Sequence, residues 1–136
     1  MDRSKRLPLT VAAVAAIAAL SVAAYAHHSF TATYEEGKTI KIEGKIVQFQ
    51  FRNPHSFVHV MAPDEKGVMQ RWGVEWGGIG QLGQQGVTRE TLKVGDFVII
   101  TGPPGRNPAD HRILMRTLLR PSDGYGWGNK PGQVVD

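Results

Sequence analysis

The sequence predicts an all-β domain: a small five-stranded OB-like Greek-key barrel with a short helical insert between strands three and four. Three observations carry that prediction. Apolar residues recur at every second position in three separate runs between Ile40 and Trp76, the period of a half-buried strand. A glycine-rich stretch with helical spacing then interrupts the alternation, and two further apolar runs follow it. Five strands with an insert after the third is the order of an OB barrel.

The first strand opens at Ile40, where Ile40, Ile42 and Ile46 alternate with Lys41, Glu43 and Lys45. Beside Gly44 the phase slips, and Val47, Phe49 and Phe51 become the apolar set. Such a slip predicts a bulge or bend, which lets one long strand serve both sides of a small barrel. Asn53-Pro54 ends the strand. Residues 56–62 form the second strand, with Val58, Val60 and Ala62 inward and Phe57, His59 and Met61 outward. After the turn cluster Pro63-Asp64-Glu65-Lys66-Gly67, residues 70–76 form the third strand, with Trp72, Val74 and Trp76 on one face and Glu75 on the other. Residues 77–86 carry Ile79 and Leu82 at helical spacing, and Thr88 caps a single turn over residues 88–92. The turn Gly95-Asp96 launches a nearly all-apolar fourth strand over residues 97–101. A Pro/Gly loop over residues 102–110 leads to a fifth strand over residues 111–119. Four glycines between residues 124 and 132 predict a loosely ordered tail, 124–136. The expected core is Ile42, Ile46, Val58, Val60, Trp72, Val74, Val98, Ile100 and Ile113. No internal repeat and no second domain is visible.

The chain begins with a basic patch at Arg3, Lys5 and Arg6, continues through an apolar run over residues 7–24 and reaches Ala24-Tyr25-Ala26. This is the grammar of a cleaved signal peptide, residues 1–26. A short membrane span is the rival, but the run is mostly Ala and Val and ends in a small-x-small triplet. No twin arginine precedes it, so the general secretory route is expected, with a periplasmic or secreted product and no membrane attachment after cleavage. The domain would then be residues 27–123 with a histidine arm at its start.

Composition bounds the chemistry. Removing residues 1–26 leaves 110 residues, 13 basic against 11 acidic, a net charge of only +2. Much of the apparent basicity belongs to the targeting segment, which removes the support for a nucleic-acid partner. There is no cysteine, so thiolate sites and cysteine nucleophiles are excluded. There is also no G-x-S-x-G and no carboxylate pair, and an enzyme is not expected. A copper-dependent oxidase on a terminal-histidine site would need an open face for oxygen.

The candidate site starts from the cut. Cleavage after Ala26 makes His27 the N-terminus, where its amine and Nδ1 close a six-membered chelate ring. Nitrogen-rich sites of this kind favour Cu(II). A cut after Ala24 would instead leave Tyr25-Ala26-His27, with His in third place, which also wraps Cu(II) or Ni(II). His55, at a strand mouth after Asn53-Pro54, is a further ligand candidate. The segment from His28 to Ile40 is long enough to fold back toward it. The expected metal set is therefore His27, His28 and His55, with Glu75 adding a carboxylate or orienting an imidazole and Asn53 as auxiliary. Asn53 as a turn cap and His55 bound to a carbonyl is the structural alternative. A thioether at Met61 is expected to pack rather than bind copper.

Four motifs, Ala26-His27-His28-Ser29-Phe30, Asn53-Pro54-His55, Trp72-Gly73-Val74-Glu75 and Gly95-Asp96, resemble those of a family of small exported bacterial proteins classed only as a domain of unknown function. The resemblance covers the chain from His27 to about Gly124. It implies the fold and export, and no activity. The stretch WGGIGQLGQQGV is richer in glycine than similar members. His59 and His111 fall outside the motifs and are expected to be incidental. The rival function is a non-metal OB-type module of the cell envelope that binds a small ligand or a protein, with Phe57, Trp72 and Trp76 as stacking surfaces. Trp72 and Trp76 share a face with Val74, which favours the core for both.

Overall fold

Period-two alternation becomes a seven-stranded mixed sheet. In the computed structural model, which describes residues 30–133, the strands are β1 (Ile40–Gln50), β2 (Phe57–Pro63), β3 (Met69–Glu75), β4 (Phe97–Gly102), β5 (Arg112–Leu114), β6 (Thr117–Arg120) and β7 (Tyr125–Gly128). One short helix, α1 (Ile79–Gln84), lies between β3 and β4. The chain divides into two compact units, Met1–Thr33 and Tyr34–Asp136, and the whole sheet belongs to the second. Residues 30–33 are helical within the first. Among the described residues no helix is long and apolar enough to cross a membrane.

The strand order is β5-β3-β2-β1-β4-β6-β7. Every neighbour is antiparallel except β3 and β5, which run parallel with Gly73 opposite Arg112. Two features correct the expectation of five strands. The apolar run expected as the fifth strand is broken because adjacent residues bond to different partners: Met115 N–H donates to Glu75 O, and Arg116 N–H donates to Thr101 O. Before that break the chain lies beside β3 as β5; after it, the chain lies beside β4 as β6. The glycine-rich tail also forms a strand. Gly128 sits at φ 87° where a Cβ would meet Arg116 O at 2.2 Å, so glycine there permits close approach. Trp127 packs edge-on to Trp76 with ring centroids 5.1 Å apart.

The core is the one expected. Ile42, Ile46, Val58, Val60, Trp72, Val74, Val98, Ile100 and Ile113 are all buried, and Leu82 of α1 joins them. The slip in β1 lies between Ile46 and Gln48, a little beyond Gly44. Gly44 has a different task, since a Cβ there would lie 2.0 Å from Met61 O of the paired strand.

Candidate functional site

Glu75 closes β3 on the face opposite Trp72, as its place in the alternation requires, yet it is only 6% exposed. Three side chains from other segments cover it. The Tyr34 hydroxyl donates to Oε2. Arg112 Nη2 donates to the same oxygen at 2.9 Å. His55 Nδ1 lies 2.5 Å from Oε1, and against a carboxylate the ring N–H is the donor.

Backbone stitching produces this meeting. Ser56 N–H donates to Gly77 O and Trp76 N–H donates to Ser56 O, so the segment entering β2 is tied to the segment leaving β3. His55 and Glu75, 20 residues apart in sequence, are thereby adjacent. The register places Phe57 opposite Glu75. Parallel pairing of β5 with β3 delivers Arg112, whose guanidinium lies over the Tyr34 ring at 5.5 Å and the Phe57 ring at 5.9 Å. Tyr34 is fully buried and bridges Gly105.

A buried carboxylate needs donors or a cation, and Glu75 has both. Burial first, and then the hydrogen bond and charge of Glu75, push the Tyr34 phenol well above its ordinary value, with Arg112 opposing. Tyr34 therefore remains a donor. With Nδ1–H directed at Glu75, a neutral His55 carries its lone pair on Nε2, the tautomer that a carboxylate partner enforces on metal-binding and proton-accepting histidines. The His55 side chain is 39% exposed.

The expected site residues have different fates. His55 and Glu75 are brought together, with Glu75 orienting the ring. Asn53, which precedes a cis peptide to Pro54, accepts from Ile79 N–H at 2.9 Å and so supports the first turn of α1. His27 and His28 lie outside the described residues. Among the described residues, no group of three or more His, Asp or Glu side chains is placed to hold a metal ion. His59 lies on the outer face of β2, its pKa lowered by burial and then by Arg71 and Arg52. His111 packs edge-on to Trp72 with centroids 5.3 Å apart. Trp72 and Trp76 are core residues.

Sequence reasoning missed Tyr34 and Arg112. Tyr34 precedes the alternation, and Arg112 sits in a three-residue strand whose parallel partner has no local signature. No curated protein and no solved structure matches the chain significantly. A family model matches residues 14–113, a span that holds Tyr34, His55, Glu75 and Arg112. The chain thus belongs to DUF6152, a family of unknown function.

Proposed function

We propose that this chain is an exported, periplasmic or secreted β-barrel protein that binds Cu(II) and has no catalytic role of its own. The ligands would be the amine and imidazole of a processed His27, together with His55 and His28. The observation that carries the reading is the pairing of His55 Nδ1 with Glu75 Oε1 at 2.5 Å, in a carboxylate itself held by Tyr34 and Arg112. Orientation by such a carboxylate raises the basicity of a ligating imidazole and fixes its tautomer. His55 alone cannot hold copper, so the remaining nitrogens must come from the histidine arm.

The same reading treats β1 to β5 as an OB-like barrel, with β6 and β7 as additions. In its support, Leu114 N–H donates to Pro103 O at 2.9 Å, linking the end of β5 to the end of β4. The parallel pairing of β3 with β5 also fits that topology.

The test is a copper titration of the protein beginning at His27, of the same protein with one extra residue before His27, and of His55→Ala. Both changes should weaken binding, the first by destroying the chelate ring and the second by removing a ligand. Equal affinities for all three proteins would overturn the reading.

A further inference from the structure

The start of β1, the β2–β3 turn and the loop before β5 enclose a cavity of about 470 Å³, within the size range of small-ligand sites. Its floor is apolar, built from Ile40, Ile42 and Trp72. His111 forms part of the wall, edge-on to Trp72, from a backbone held at φ 45°. That left-handed conformation ends the 3-10 turn Pro108–Asp110 and sets the ring against the indole.

The rim carries charges of both signs, and their commitments decide what it can take. Lys41 pairs with Glu43 at 2.9 Å and Arg112 with Glu75 at 2.9 Å. Asp64 accepts from the backbone of Lys66 and Val68 and from Gln70 Nε2, so its carboxylate is spent on its own turn. Lys38 and Lys66 also line the opening, each beside an acidic residue of its own turn, Glu35 and Glu65. A simple anion would satisfy the lysines and be repelled by the glutamates, and a simple cation would meet the reverse. One molecule that carries both charges answers both pairs, while an apolar body fills the floor.

We propose that this cavity is a binding site for a small zwitterion with an apolar side chain, of the α-amino acid class. The site is independent of the copper reading, because its floor and its free rim charges include neither His27 nor His55.

Three probes that share one ring separate the possibilities: L-phenylalanine, 3-phenylpropionate and 2-phenylethylamine. Each is titrated into metal-free protein while the Trp72 indole and Gly105 amide signals are followed by NMR. Phenylalanine should move both signals saturably, with a Kd about tenfold or more below those of the two singly charged probes. Lys66→Gln and Glu65→Gln, both exposed turn substitutions, should each weaken phenylalanine binding several-fold. Equal binding of the three probes, or an absence of saturable shifts at Trp72 and Gly105, would overturn the proposal.

Discussion

Glu75 concentrates the electrostatics of the candidate site on one carboxylate. Its two oxygens accept from a phenol, a guanidinium and an imidazole, and the group is buried. Glu75→Gln keeps the shape but turns one acceptor into a donor facing other donors. A loss of about 1–3 kcal/mol is expected, read as a lower urea midpoint with unchanged slope. Tyr34 yields a pH prediction. Its folded pKa lies above the unfolded value near 10, chiefly through burial, so the unfolded chain releases the proton first. Stability is therefore complete below about pH 10 and falls as pH rises beyond it. Tyr34→Phe should flatten that alkaline decline, leaving a smaller contribution from Tyr125, whose pKa burial also raises. An identical decline in the variant would remove Tyr34 from the linkage.

Strands were legible where the alternation was strong and silent where pairing was non-local. Val58, Val60, Trp72 and Val74 announced their shared interior through period two, and all four are buried. Trp72→Ala should cost about 3–5 kcal/mol, and an unchanged denaturation midpoint would remove that ring from the core. Gly44→Ala should destabilise by about 1–3 kcal/mol, because its Cβ would collide with Met61 O across the β1–β2 pair. Nothing local foretold the break at Met115, since it arises from a change of partner strand. Gly126 and Gly128 suggest looseness when read alone, yet in β7 they pair with Leu119 and Thr117. For the site, the alternation could place Glu75 on its strand and His55 just before the second. The stitching of Ser56 to Trp76 and Gly77 had to be seen for their contact to be known.

At the scale of the whole molecule, the fold supplies an oriented imidazole, and on the proposed reading processing would supply the rest of the copper site. N-terminal sequencing of the exported protein should find His27 first, with Tyr25 as the alternative; a retained Met1 would make the chain a membrane-anchored domain. Copper affinity should fall on acidification, because protons compete with the metal for the nitrogen ligands. The most direct measurement is pulsed electron paramagnetic resonance on the Cu(II)-loaded processed protein, which counts coordinated imidazoles. Two or more should couple to copper, with one fewer in His55→Ala and a disturbed coupling in Glu75→Gln. The same imidazole count in wild type and His55→Ala would contradict a site built on His55.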